Sequence, residues 1–122
     1  MRIILADHHA EPLKALNDLL SEQTEFEVIG EAVDGESLLL RASENPTDLV
    51  LIDCDLPGIR MEDLISGLHS IEPRPIVVVM SSKFEKSRVM LQAGADAYVS
   101  KSEQLQWLLE SLKRYERRTA NH

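Results

Sequence analysis

Apolar residues recur along this chain in two rhythms. Short runs that are apolar at nearly every position occur at Arg2 to Ala6, Phe26 to Glu31, Asp48 to Ile52, Pro75 to Met80 and Ala97 to Ser100. Their length, and the β-branched pairs in four of them, predict buried strands. Between these runs the apolar positions return every three or four residues, at Leu13, Leu16, Leu19 and Leu20 within Glu11 to Glu22 and at Met61, Leu64, Ile65 and Leu68, and a second helix after Asp34 runs through Leu38, Leu39 and Leu40. That spacing lays one apolar stripe along a helix. Asp34 is a good N-cap, Pro12 is tolerated in a first turn, and Pro73 with Pro75 stops the third helix before the fourth strand. A fourth helix is predicted over Glu85 to Gln92, ending at Gly94. A fifth follows the cap Ser102, with Leu105, Leu108, Leu109 and Leu112 facing inward.

Five strands alternating with five helices predict an α/β fold, a doubly wound parallel sheet covered on both faces. Ligands of such sheets bind beyond the carboxyl ends of the strands, which directs attention to the residues that follow each strand. The first strand runs into Asp7-His8-His9, the third into Asp53-Cys54-Asp55-Leu56-Pro57-Gly58, the fourth into Ser81-Ser82 and the fifth into Lys101. Grouped carboxylates repel one another and recruit a hard divalent ion, and Mg²⁺ suits oxygen ligands that leave room for water and phosphate. A carboxylate beside such an ion can attack phosphorus to give an aspartyl phosphate, with a lysine neutralising the phosphoryl oxygens. Less specific roles compete at each position: a strand-end turn for Asp53, solvation for Lys101, a turn hydroxyl for Ser81 and apolar packing for Cys54. Adjacent histidines in an extended segment point to opposite sides, so His8 and His9 are expected as surface residues in preference to a metal-binding pair, with a hydrogen bond from His8 to Asp53 within reach.

Composition narrows the alternatives. The chain has 122 residues, 43% hydrophobic, enough for one domain, expected over 1–117 with a polar tail at 118–122. Its net charge of −8 argues against direct contact with nucleic acid. No apolar run approaches the roughly 18 residues that span a bilayer, and no signal-peptide pattern opens the sequence, so a cytoplasmic location without membrane contact is expected. One cysteine, Cys54, excludes an internal disulfide and fits a reducing compartment. His8 to Pro12 supplies no glycine-rich phosphate loop, which sets a flavin- or nucleotide-binding enzyme aside.

The run Asp48-Leu-Val-Leu-Ile-Asp53-Cys-Asp-Leu-Pro57-Gly58 and the run Ala93-Gly-Ala-Asp-Ala-Tyr98-Val-Ser-Lys101, supported by Val28-Ile-Gly-Glu-Ala-Val-Asp-Gly35, resemble the receiver domains of two-component response regulators. The likeness extends from Ile3 to about Leu112 and is nearest to receivers of helix-turn-helix transcription regulators. It implies the flavodoxin-like strand order 2-1-3-4-5. It also implies that Asp53 is the phosphoacceptor, that Asp7, Asp53 and the backbone carbonyl of Asp55 hold Mg²⁺, and that Ser81 and Lys101 meet the phosphoryl group. Tyr98 is then the aromatic side chain that follows the hydroxyl, and Tyr98 with Trp107 marks a partner or homodimer face. Trp107 could equally cover the edge of the core. The phosphodonor implied is a histidine kinase or phosphotransfer protein, and the domain is no enzyme beyond its own phosphoryl transfer and dephosphorylation. No output domain occurs in this sequence, which leaves open a stand-alone receiver or part of a longer regulator.

Three departures from the family pattern stand out. His8 occupies the place of a second carboxylate, which should weaken Mg²⁺ binding. The stretch from Ser81 to Lys101 is short, so Ser81 and Ser82 compete for the switch hydroxyl, with Ser81 favoured. Arg60-Met61 replaces the Asp-Gly pair that opens the third helix. A pseudo-receiver, a constitutive interaction module not efficiently phosphorylated because of His8, is the alternative function.

Overall fold

The computed structural model describes residues 1–82, 87–100, 110, 113 and 114. Its five strands are β1 (Arg2–Ala6), β2 (Glu27–Ala32), β3 (Leu49–Asp53), β4 (Ile76–Ser81) and β5 (Ala97–Ser100). They pair in parallel in the order β2-β1-β3-β4-β5, as the resemblance implied. Helices α1 (Ala10–Ser21), α2 (Gly35–Glu44), α3 (Met61–His69) and α4 (Ser87–Gln92) lie between them. The start expected for the fourth helix and most of the fifth fall outside the described residues. Of the latter stretch, Glu110, Lys113 and Arg114 are described and helical.

Alternation along the strands builds two cores, because successive side chains on a strand point to opposite faces. On one face Ile4, Val50, Ile52, Val77 and Val79 meet Leu38 of α2 and Leu64, Ile65 and Leu68 of α3, with Met90 of α4 packed against the cluster. On the other face Ile3, Leu5, Leu49, Leu51, Val78 and Met80 meet Leu13, Leu16 and Leu20 of α1. Every residue of β3 is buried, which explains its unbroken apolar run, whereas the edge strand β2 is exposed at Glu27 and Glu31, half-buried from Val28 to Gly30 and buried only at Ala32.

Several boundaries differ from the sequence expectation by one residue. Phe26 packs in the second core instead of opening β2, and the ladder of β4 opens at Ile76, whose N–H donates to the Asp48 carbonyl, a bond that Pro75 could not make. Helix α3 ends at His69, ahead of Pro73, where the Ser70 N–H reaches back to the carbonyls of Ser66 and Gly67. More consequential are the other ends. β3 continues through Asp53, which pairs with Met80, and β4 continues through Ser81, which pairs with Ser100. A reading keyed to apolar residues stops at the first polar side chain, although the backbone ladder carries on.

Among the described helices none is long and apolar enough to cross a membrane. Leu38 is fully buried and Leu40 is 58% exposed on the same helix. Leu38→Ala should therefore cost about 2–5 kcal/mol in urea unfolding, while Leu40→Ala should stay within about 0.5 kcal/mol of wild type.

Candidate functional site

Asp7 follows the last residue of β1, and Asp53 is the last residue of the neighbouring strand β3, so the sheet brings both to one carboxyl edge. Both are buried, Asp7 completely and Asp53 to within 4%. Burying charge is costly unless it is compensated, and two adjacent carboxylates compound the cost. Two histidines supply part of the compensation. The His9 N–H donates to Asp7 Oδ1 at 2.9 Å, and the His9 ring nitrogen Nδ1 lies 3.2 Å from the same oxygen. Nδ1 of His8 lies 3.7 Å from Asp53 Oδ2, an ion pair when the imidazole is protonated.

The histidines do not point apart. Their ring centroids are 3.8 Å from each other with the planes tilted by 43°. The chain bends at His8, and the backbone bond from His9 to the Asp7 side chain turns the pair back over the acidic edge. The expectation that they point to opposite sides is thus corrected: its premise was an extended segment. Both imidazoles remain solvent-accessible on their outer sides. Ligand atoms of Asp7, His8, His9 and Asp53 all fall within 4.8 Å of one another, as do those of Asp53, Cys54 and Asp55.

The loop after Asp53 is anchored on α2. The Leu56 N–H donates to the Asp53 carbonyl, and the Gly35 N–H donates to the Pro57 carbonyl at 2.9 Å. Gly58 has φ of +105°, where a side chain is strained, and a Cβ there would stand 3.4 Å from the Gly35 nitrogen. The sequence motif Pro57-Gly58 is thereby given its reason: the loop must turn tightly against the first residue of a helix. Asp34 caps that helix, accepting the Ser37 N–H at 2.8 Å. Asp55 is exposed, and Cys54 is half-buried against the core.

Ser81 is 2% exposed at the last rung of β4, while Ser82 is exposed. The Tyr98 hydroxyl donates to the Ser81 carbonyl at 3.4 Å, so two of the residues singled out in the sequence are in contact. Lys101 and Trp107 lie outside the described residues.

The sequence matches the response regulator receiver domain over residues 3–113. The chain belongs to that family. Among its relatives, the uncharacterized transcriptional regulatory protein YhcZ of Bacillus subtilis is 32% identical over 91% of this receiver and 53% of its own length. The nitrate/nitrite response regulator protein NarL of Escherichia coli is 30% identical over 90% of this chain and 52% of its own. The receiver therefore spans about half the length of these relatives. Among solved structures, the receiver domain of the sensor histidine kinase PA1611 from Pseudomonas aeruginosa PAO1, with a magnesium ion in its active-site cleft, superposes with a TM-score of 0.82. That match has 21% identity and covers 94% of this chain and 96% of that one.

The donor set suits a divalent cation: two buried carboxylates and Asp55 supply the hard oxygens that Mg²⁺ requires. It offers one such oxygen fewer than two consecutive acids after β1 would.

The backbone N–H of Ser37, and then its side chain, hold the Asp34 carboxyl below its ordinary value of 3.8. A lowered folded value means stability that is present above the unfolded value and is lost as pH falls through the folded one. Denaturant unfolding from pH 7 downward should show wild type losing, below pH 3.8, an advantage that Asp34→Asn, capped by an amide at every pH, does not lose.

Proposed function

We propose that this receiver takes a phosphoryl group onto Asp53 and that the resulting charge changes the surface around Tyr98. The observation that carries the reading is the pairing of two buried carboxylates, Asp7 and Asp53, at the carboxyl edge of a parallel sheet. An Asp53 oxygen attacks phosphorus, a P–O bond forms, and the donor's bond to phosphorus breaks with the electron pair leaving on the donor. Asp7, Asp53 and the carbonyl of Asp55 would hold Mg²⁺, which when bound offsets the negative charge of carboxylate and phosphate. The donor in the cell is a histidine kinase or phosphotransfer protein.

Phosphorylation adds about −1.5 to −2 charges, by analogy with hydroxyl phosphoesters. Lys101 and the Ser81 hydroxyl are the groups assigned to meet it. Drawing in Ser81 would disturb the bond from the Tyr98 hydroxyl to the Ser81 carbonyl, which links the acceptor edge to β5. Partner or homodimer affinity on the Tyr98 face, to which the sequence reading also assigns Trp107, would follow that packing. Transcriptional control, as in the names of the relatives, is the output proposed.

His8 beside Asp53 favours a second reading, a constitutive pseudo-receiver. One experiment separates the two. With Mg²⁺ and acetyl phosphate, intact mass should show one added phosphate on wild type and none on Asp53→Asn. His8→Asp should raise Mg²⁺ affinity by about tenfold through an added oxygen ligand. Phosphate on Asp53→Asn would overturn the acceptor assignment, and a wild type that takes none while His8→Asp does would establish the constitutive module.

A further inference from the structure

The feature that sets this acidic edge apart is nitrogen. Two imidazoles stand over two buried carboxylates, and the four side chains come from the tripeptide Asp7-His8-His9 that follows β1 and from the last residue of β3. Imidazole is a poor ligand for Mg²⁺, which prefers oxygen and retains water, but suits zinc and neighbouring transition ions. Four ligands of mixed nitrogen and oxygen form the tetrahedral set typical of zinc.

The distances agree with that chemistry. Zinc bonds of about 2.0–2.2 Å place the ligand atoms of a regular tetrahedron roughly 3.3–3.6 Å apart. The two contacts between imidazole and carboxylate, 3.2 Å from His9 to Asp7 and 3.7 Å from His8 to Asp53, bracket this edge. No pair in the group exceeds 4.8 Å. The remaining closure falls on the imidazoles, whose side chains are 36% and 58% exposed and can rotate, while the carboxylates are fixed in the sheet edge. The geometry is that of a cluster able to close on an ion without moving a strand.

We propose that Asp7, His8, His9 and Asp53 form a site for a zinc-class divalent ion, and that this ion, by engaging the Asp53 carboxylate, blocks phosphoryl acceptance. The ion site stands on the cluster itself; only the blocking rests on the acceptor reading of Asp53. A chain of this kind would be silenced by a rise in available transition metal.

The test begins with the full chain, stripped by chelator and free of phosphodonor, titrated with Zn²⁺ and separately with Mg²⁺ by calorimetry. Zn²⁺ should bind about a hundredfold more tightly than Mg²⁺, and His8→Asn and His9→Asn should each weaken Zn²⁺ by about tenfold or more. His69→Asn removes the imidazole that meets Asp96 elsewhere in the fold, and should leave Zn²⁺ affinity unchanged. Co²⁺ in place of Zn²⁺ should give the intense visible absorption of tetrahedral nitrogen and oxygen ligation, lost in His8→Asn/His9→Asn. Circular dichroism of each variant reports whether it remains folded. Zn²⁺ binding no tighter than Mg²⁺, or binding indifferent to both substitutions, would overturn the site. For the blocking, phosphate uptake from acetyl phosphate with Mg²⁺ should fall as Zn²⁺ fills the site; uptake that persists on zinc-loaded protein would overturn it. A chain that takes no phosphate even without Zn²⁺ would count against the acceptor reading while the calorimetry still decides the ion site.

Discussion

Asp7 and Asp53 are two carboxyl groups buried side by side at the end of the sheet. At the separation allowed by the cluster, two full charges repel by at least roughly 3 kcal/mol for an effective dielectric constant near 20. Such a pair persists only if something positive or hydrogen-bonding is near, and the local structure is arranged around that requirement. The His9 N–H and both imidazoles supply part of the compensation from within the chain. The same need makes the edge receptive to a cation and, once a cation is bound, to a phosphate. Charge here is what the fold holds in readiness.

The sheet is what sustains the arrangement. Ile3, Ile4, Leu5 and the whole of β3 are buried on two faces, so the strands that end in the two acids cannot slide without exposing a core. Ending the ladder on Asp53 and Ser81 places polar side chains on rungs fixed by strand pairing. The following loop is tied to α2 through Pro57, Gly58 and Gly35, and that helix in turn depends on its Asp34 cap. Asp34, itself half-buried, therefore helps to position the loop that follows Asp53.

Much of this was visible in the linear order of residues. Alternating periodicities gave the α/β class, and the polar residues directly after apolar runs pointed to Asp7, Asp53 and Ser81 because strands of a parallel sheet all end on the side where their loops gather. The strand ends were missed by one residue for the same reason that made the strands easy to see: hydrophobicity marks burial, and backbone pairing extends beyond it. Tyr98 was singled out, yet its bond to the Ser81 carbonyl could not be, since the register of β4 against β5 lies in no local pattern. Lys101 and Trp107 stand as sequence assignments.

By itself the sequence determined the number of strands and their succession along the chain, the faces they bury, and the chemical types gathered at their ends, because these follow from periodicity and from the side of the sheet on which loops emerge; their order across the sheet came from the family resemblance. Only the tertiary structure decided what the histidines do. A bend of one residue, stabilised by the Asp7 side chain, converts two neighbours that an extended strand would send apart into a close, tilted pair over the acids. Backbone direction at a strand end is set by contacts with other elements, and it is that direction, more than the identity of any residue, that turns an acidic edge into one lined with nitrogen.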